Sequence, residues 1–162
     1  MRTGIFAGSF DPFTTGHHSV VRRALPLFDK IVIGVGVNGS KRCMLTPEER
    51  VENIRRIYAG EPRVEVRSYS GLTAEFARRE GAGFIIKGVR GTADFEAERI
   101  QADINRRING VETILLVAEP GMDSISSSIV RELASFGMDV SMFVPETDNK
   151  HEKTTGKNKT TI

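Results

Sequence analysis

The chain has 162 residues, of which 39% are hydrophobic and 27% charged, and its 23 basic and 21 acidic side chains leave a net charge of +2. This length and composition are typical of one globular domain, and so balanced a charge argues against a nucleic-acid or membrane-surface partner. The single cysteine, Cys43, excludes an internal disulfide and a cysteine zinc cluster, which favours a reducing cytoplasm. We expect no signal peptide and no membrane span, because the first residues have the pattern of a strand.

Short apolar segments alternate with helical patterns, which predicts a parallel sheet with crossover helices. The predicted strands lie at 3–7, 30–37, 64–69, 83–87 and 113–118. The predicted helices lie at 16–28, from 46 to about 58, from 72 onward, at 93–109, and from 126 to 137. Residues 140–144 have the pattern of a short last extended segment.

These elements predict one doubly wound α/β domain of Rossmann-like or flavodoxin-like class over residues 1–145, with the five-stranded parallel sheet in the order 3-2-1-4-5. The fourth helix is expected to bury a stripe on one face, formed by Ala93, Ala97, Ile100, Ile104 and Ile108. Residues 146–162 are polar except for the last one, and we expect this tail to be mobile.

A glycine-containing turn joins the first strand to the first helix, with the sequence Gly-Ser-Phe-Asp-Pro-Phe-Thr-Thr-Gly-His at 8–17. The sequence lacks the Gly-Lys-Ser/Thr ending of a P-loop and the G-x-G-x-x-G dinucleotide fingerprint. A helix N-terminus presents free N–H groups and a favourable dipole to phosphate. We therefore expect a phosphate site here, with Gly8 allowing close approach, Gly16 leaving room at the helix start, and His17 pointing into the site.

Polar and cationic residues follow four of the predicted strands, and in this fold the carboxyl ends of the strands surround the ligand. Cations and hydroxyls that converge at one edge are what a polyphosphate requires. The residues expected to converge are Ser9, Phe10, His17, Ser40, Lys41, Arg42, Lys87, Arg90, Asp94, Glu98 and Ser126–Ser128.

Each of these residues also has a simpler interpretation. Lys41 and Arg42 are compatible with a solvated turn, and the serine triplet with an ordinary helix N-cap. Lys87 is harder to explain in that way, because a cation at the end of an apolar strand is costly unless an anion meets it. Arg90 lies three residues later in a glycine-flanked segment, in reach of a second phosphate.

Four blocks of the sequence resemble, in order, those of the bacterial phosphopantetheine adenylyltransferases, members of the nucleotidylyltransferase superfamily. The first is the string at 8–17 with its T-x-G-H box. The others are S-K-R at 40–42 with T-P-E-E-R at 46–50, K-G-V-R-G-T-A-D-F-E-A-E at 87–98, and I-S-S-S-I-V-R-E-L at 125–133. The resemblance covers about residues 3–145.

The resemblance implies transfer of the adenylyl group of ATP to 4′-phosphopantetheine with Mg²⁺, giving dephospho-coenzyme A and pyrophosphate, in a cytoplasmic homohexamer. Feedback by coenzyme A is a further expectation. No residue is assigned as a metal ligand. Because the attacking phosphate is already ionised, the reaction needs positioning and electrostatic stabilisation, without a strong base or a covalent intermediate.

The resemblance also assigns roles to individual residues. The catalytic residues would be His17, Lys41 and Arg90. The ATP-binding residues would be Ser9, Phe10, His17, Gly88, Val89, Arg90, Glu98, Ser126, Ser127 and Ser128. The phosphopantetheine-binding residues would be Ser9, Lys41, Leu72, Thr73, Lys87 and Asn105.

The chain departs from the family pattern at three positions. Lys87 stands where arginine is usual, Cys43 where proline is frequent, and Ala97 where larger residues are common. Two other enzymes share the histidine box, namely nicotinate-mononucleotide adenylyltransferase and glycerol-3-phosphate cytidylyltransferase. A non-catalytic nucleotide sensor is a further alternative, although a sensor has no need of cations at the α-phosphate.

Overall fold

The computed structural model describes residues 1–40 and 42–147 and contains a five-stranded sheet in the order β3-β2-β1-β4-β5 with all neighbours parallel. The strands are β1 (Thr3–Gly8), β2 (Lys30–Gly36), β3 (Val64–Tyr69), β4 (Phe84–Val89) and β5 (Glu112–Val117). The helices are α1 (Thr15–Ala24), α2 (Pro47–Ile57), α3 (Thr73–Arg79), α4 (Thr92–Asn109) and α5 (Ser127–Ser135). The predicted fold class and strand order are confirmed.

Side-chain capping sets the starts of the helices that border the site. Thr14 caps α1 and Thr46 caps α2, each in a reciprocal capping box with the residue three positions on. Pro26 cannot continue an α-helix, so the chain after α1 tightens into a 3₁₀ turn at Leu25–Leu27. Glycine at position 137 has φ +74° and ends α5.

Alternate residues of β1 pack into two different cores. Phe6 faces a cluster formed with α1 and α2, and Ile5 faces a cluster that includes Phe76 of α3. Because successive side chains of a strand point to opposite faces, both faces of the sheet are covered by helices. Ile5 and Val32 are fully buried, as expected of central strands in such a sheet.

The strand order reverses at β1. The chain runs from β1 outward to β2 and β3 and then returns to place β4 on the other side of β1. The crossover helices that leave β1 and β4 therefore diverge to opposite faces, which leaves a crevice beyond the carboxyl ends of these two strands.

Two details of the predicted elements are wrong, and a third concerns residues that the structure does not describe. Strand β4 continues to Val89, so Gly88 and Val89 belong to the strand and not to a loop. Residues 140–144 contain a 3₁₀ turn at Ser141–Phe143 instead of an extended segment, because Asp139 accepts a hydrogen bond from the Ser141 amide and the chain turns there. Residues 148–162 of the predicted mobile tail lie outside the described residues.

The predicted buried stripe on α4 is also wrong for the single chain. Ile100, Ile104 and Ile108 are 53%, 45% and 43% exposed, and Phe95 is 42% exposed. The face of α4 that packs on the sheet and α3 carries small and polar residues, among them the buried Asn105. The apolar face of α4 therefore points away from the chain's own core.

None of the helices in the described part of the chain has the length and apolarity needed to cross a membrane.

Candidate active site

A cavity of about 290 Å³ lies in the crevice beyond β1 and β4, between α1, the start of α4 and the start of α5. It brings together residues that are far apart in the sequence, as the predicted convergence requires. The predicted site residues that line it are Phe10, His17, Lys87, Gly88, Val89, Arg90, Glu98, Ser126 and Ser127, and Asp94 lines it too.

His17 stands in the first turn of α1, where Thr14 fixes its orientation. The Thr14 amide donates a hydrogen bond to Nδ1 of His17 over 3.0 Å, and the His17 amide donates to Oγ1 of Thr14 over 3.3 Å. Because Nδ1 accepts a backbone N–H, the proton of the neutral ring lies on Nε2. The Thr-x-x-His spacing of the box thus presents a donor to the cavity.

Three aromatic rings enclose the remainder of the His17 imidazole. Phe10 meets it edge to face with 5.0 Å between ring centroids, and Phe13 and Phe6 lie at 5.3 and 6.1 Å. Burial, and after it the positive charge of Arg90, lowers the pKa of His17 from 6.5 to about 4. His17 is therefore neutral at physiological pH and acts as a hydrogen-bond donor.

The depressed pKa of His17 makes stability depend on pH. Between pH 6.5 and 4 the unfolded chain protonates this imidazole and the folded chain does not, so the free energy of unfolding falls as the pH is lowered. We expect the loss between about pH 7 and pH 5 to be about 2 kcal/mol smaller in His17→Gln than in the unsubstituted chain. Urea unfolding of both proteins at the two pH values measures the difference, and equal losses would contradict the assignment.

The loop before α1 contains one unusual backbone conformation. Phe10 has φ +50°, the left-handed region that non-glycine residues rarely adopt, and its ring is packed between Phe6 and Phe13. A Cβ on Gly8 would lie 2.9 Å from the Phe10 ring, so glycine is required there to admit this ring. The Phe10 ring is therefore what glycine accommodates at position 8, and the predicted close approach of a phosphate there stays a prediction.

Both cations that line the cavity are paired with carboxylates of α4. Nζ of Lys87 lies 3.2 Å from Oε2 of Glu98, and Nε of Arg90 lies 2.9 Å from Oδ2 of Asp94. The hydrogen bond and charge of Arg90 lower the pKa of Asp94 below its ordinary value, although burial acts against them. The anion expected beside Lys87, at the end of an apolar strand, is therefore Glu98.

Each hydroxyl of the serine triplet has a separate partner. Oγ of Ser126 caps α5 by accepting from the Ile129 amide at 3.2 Å, and Oγ of Ser127 donates to the Pro12 carbonyl at 2.8 Å. Oγ of Ser128 accepts from Arg131 and does not line the cavity. The N-cap interpretation holds for Ser126, and Ser127 ties α5 to the loop before α1.

Six further predicted residues do not line this cavity, namely Ser9, Ser40, Arg42, Leu72, Thr73 and Asn105. Ser9 and Leu72 are exposed, and Thr73 is bonded to the hydroxyl of Tyr69 at 2.8 Å. Asn105 is buried, and its Oδ1 accepts a hydrogen bond from Gln101 at 3.3 Å. Lys41 lies outside the described residues.

The structure shows two features of the cavity wall that the sequence did not predict. A Cβ on Gly88 would lie 2.8 Å from Val20, so this glycine lets α1 approach β4 closely at the cavity wall. Glu119, beyond β5, also lines the cavity and accepts hydrogen bonds from Ser19 and Arg22. The Thr14 contact was signalled by its capping-box spacing, but nothing in the sequence placed Glu119 beside Ser19, one hundred residues away.

No group of three or more His, Cys, Asp or Glu side chains in residues 1–40 and 42–147 is arranged to hold a metal ion. The cavity carboxylates Asp94, Glu98 and Glu119 are each engaged by a cation.

The chain is similar to known proteins in sequence and in fold. A family model described as cytidylyltransferase-like matches residues 5–133. Two solved structures of a bifunctional NMN adenylyltransferase/ADP-ribose pyrophosphatase from Francisella tularensis superpose with TM-scores of 0.68 and 0.67, at 17% and 14% identity. They cover 92% of this chain, which spans 46% of theirs, about half their length; at this identity they show the fold alone. The family model and the fold together identify a nucleotidylyltransferase.

Curated relatives define the family more narrowly. The phosphopantetheine adenylyltransferases of Phocaeicola vulgatus and Bacteroides fragilis are 54% and 52% identical over 146 residues, which is 90% of this chain and 97% of theirs. That of Porphyromonas gingivalis is 50% identical over 142 residues, 88% of this chain and 93% of its own. The chain belongs to the phosphopantetheine adenylyltransferase family.

Proposed function

We propose that this chain transfers the adenylyl group of ATP to 4′-phosphopantetheine in coenzyme A biosynthesis, releasing pyrophosphate and dephospho-coenzyme A. The observation that carries the proposal is the shared cavity of His17, Lys87 and Arg90 beyond β1 and β4, in a chain about half identical to proteins of that name. An oxygen of the acceptor phosphate attacks the α-phosphorus, the bond to the β-phosphate bridge breaks, and the bridge oxygen leaves with the electron pair.

The arrangement of His17 supports catalysis by a hydrogen bond instead of by a base. Its Nδ1 is occupied by the Thr14 amide, and its Nε2–H is the group left to donate to an oxygen of the α-phosphate. A donor that meets charge as it develops stabilises the transition state more than the ground state. The acceptor phosphate, with a second pKa of about 6, needs no base at neutral pH.

The two cation–carboxylate pairs support a polyphosphate ligand. Arg90 would hold the outer phosphates, either with N–H donors that Asp94 does not use or by giving up part of its contact with Asp94. Ser127 lies nearby on the cavity wall. Gly88, Val89 and Glu98 would face the adenosine, and Phe10 and Ser126 would complete the ATP site. Charge-assisted hydrogen bonds of this kind are stronger than neutral ones.

The acceptor is proposed to extend from Lys87 in the cavity toward the ends of β2 and β3. Ser9, Leu72 and Thr73 have accessible surface there, and Lys41 follows β2 in the sequence. These four residues with Lys87 and Asn105 are proposed to bind phosphopantetheine. Dephospho-coenzyme A and coenzyme A share this arm, so feedback by coenzyme A would act as competition at the same residues.

We propose that Mg²⁺ enters with ATP, bound by phosphate oxygens and water, and that its chemistry is neutralisation of phosphate charge. A cytoplasmic location is proposed on the same basis as the function.

A pyrophosphate-release assay with ATP and a panel of acceptors tests the function. We expect turnover with phosphopantetheine, and none with nicotinate mononucleotide or glycerol 3-phosphate. Turnover with one of the latter instead would overturn the substrate assignment. Nucleotide binding without turnover on any acceptor would favour the sensor.

The exposed apolar face of α4 supports assembly as a homohexamer. Ile100, Ile104 and Ile108 form it at four-residue spacing, and an exposed apolar face of this kind is typical of an interface. A symmetric assembly lets one such face meet its copy or a neighbouring face of an identical chain. The residues predicted as a buried stripe would then be buried by other subunits.

Replacing Ile104 by glutamate is expected to dissociate the assembly, since it places a charge in an apolar interface. Light scattering after size-exclusion chromatography should show six times the 17.9 kDa chain mass for the unsubstituted protein and a smaller particle for the variant. Leu27→Glu, at a residue 43% exposed on another surface, is the matched control and should leave the mass unchanged. A hexamer that persists in Ile104→Glu would exclude this face as an interface.

A further inference from the structure

We propose that Arg50 of α2 and Asp11 of the loop before α1 are positioning residues for adenylyl transfer. Together they fix the loop 9–13, against which His17 is packed, to the end of β2 and the start of α2. The inference rests on the proposed function for its kinetic test and on the structure alone for a second test.

Arg50 is a buried cation that binds carbonyls instead of a carboxylate. Arg50 is only 2% exposed. Its Nη1 donates to the Ser9 carbonyl at 2.6 Å and to the Gly36 carbonyl at 3.3 Å. Nε donates to the Thr46 carbonyl at 3.3 Å. Within the described part of the chain Arg50 makes no salt bridge, and its side chain donates to these three backbone oxygens instead.

The three carbonyls belong to three different segments. Ser9 lies in the loop after β1, Gly36 ends β2, and Thr46 caps α2. A buried charge without a counter-ion is costly, and a planar guanidinium is the side chain that can donate in several directions at once. An apolar side chain would be enough to fill the core at this position. A guanidinium is needed if the three segments are to be joined by hydrogen bonds.

Asp11 completes the connection from the opposite direction. It is 3% exposed, and its two carboxylate oxygens accept from the amides of Met44 and Leu45 at 2.7 and 2.8 Å. Its own carbonyl accepts from Arg131 of α5 at 2.7 Å. The loop is thereby attached to the segment between β2 and α2, the part of the sequence that includes Lys41.

The position of this loop matters for the reaction because of Phe10. Phe10 adopts the left-handed conformation at φ +50° and presents its ring to the His17 imidazole with 5.0 Å between centroids. A non-glycine residue stays in that region only where its surroundings hold it there. Movement of the loop would displace the surface that orients the imidazole, and displacements of about 1 Å cost about 10²-fold in rate.

A purely structural role and a positioning role differ in what they change. Loss of a structural contact lowers stability and leaves the kcat of the folded enzyme unchanged. Loss of positioning lowers kcat in folded protein. KM for ATP changes less: Phe10 of the loop borders the ATP site, but Arg90, the cation proposed to hold the outer phosphates, lies on a different segment of the fold.

The test compares Arg50→Lys with Arg55→Lys in the assembled protein. Arg55 is on the same helix and also donates to a backbone carbonyl, that of Val66 in β3, away from the loop. We expect Arg50→Lys to lower kcat by about tenfold or more with KM for ATP within about threefold, and Arg55→Lys to change neither by more than about twofold. A folded Arg50→Lys enzyme with kcat within about twofold of the original overturns the inference.

Amide hydrogen exchange supplies the readout that does not depend on turnover. Peptides covering residues 9–13 should exchange faster in Arg50→Lys than in the unsubstituted chain, with β3 peptides unchanged, and equal rates would refute the proposal. If Arg50→Lys does not fold, Asp11→Asn decides by the same two criteria, since an amide retains one acceptor where the carboxylate has two. Absence of turnover in the unsubstituted chain would refute the proposed function and leave the exchange result to decide this inference.

Discussion

Replacing His17 by alanine is expected to lower kcat for adenylyl transfer by about 10²–10³-fold, the usual cost of removing one preorganised donor to a developing charge. The imidazole is held by the Thr14 amide at Nδ1 and is kept neutral by a pKa of about 4, so its contribution is the Nε2–H donor. A donor that acts in the transition state affects kcat more than ATP binding. A steady-state assay of pyrophosphate release measures kcat, and calorimetry with ATP alone measures the affinity for ATP.

His18 provides the matched control for this substitution. It is the next residue of α1, yet its Nδ1 is bonded to the Tyr58 hydroxyl at 3.0 Å and it does not line the cavity. We expect His18→Ala to keep kcat within about threefold, a change compatible with loss of one partly buried hydrogen bond. Near-normal turnover in His17→Ala, or equal losses in both variants, would overturn the mechanism.

Replacing Arg90 by glutamine is expected to raise KM for ATP by about 10–100-fold, because hydrogen bonds to charged groups contribute about 1.5–3 kcal/mol. Arg90 lines the cavity and is aligned by Asp94, with 2.9 Å between Nε and Oδ2. Its fork of donors suits the outer phosphates, and a neutral amide keeps a similar polarity without the charge. Initial rates over a range of ATP concentrations, with the acceptor saturating, measure the effect.

The control for Arg90 is Arg99→Gln. Arg99 is also on the α4 side of the site and also pairs with a carboxylate of the helix, Glu96 at 3.2 Å, but both side chains are more than half exposed and neither lines the cavity. Its KM for ATP should stay unchanged. An unchanged KM in Arg90→Gln would remove Arg90 from the phosphate site.

The predicted convergence of the strand ends was largely accessible from the sequence. Local signals decided it: the capping boxes at Thr14 and Thr46, and the apolar segments that became central strands. The histidine box specified both the helix start and the group it presents, because a capping box involves residues only three positions apart. Lys87 was singled out correctly as needing an anion, although Glu98 as that anion came from the structure.

The errors share a cause, which is that periodicity reports an apolar face without saying what covers it. The apolar stripe of α4 was real but faces outward, and the polar residue Asn105 faces inward. Residues 140–144 are mostly apolar, as a short strand would be, yet Asp139 accepts a hydrogen bond from the Ser141 amide and the chain turns there. Phosphopantetheine residues such as Thr73 and Asn105 bond to neighbours, and their proposed role stays a prediction.

The sequence by itself determined the fold class, the strand order, the turn that carries the histidine box and the family, because each depends on patterns local in the chain or on motifs in a fixed order. Only the tertiary structure decided how the site is held. The contacts of Arg50 with Ser9 and of Arg131 with Asp11 span 41 and 120 residues. Such pairings depend on how the sheet brings distant segments together, and no local pattern records which carbonyl a buried guanidinium will meet.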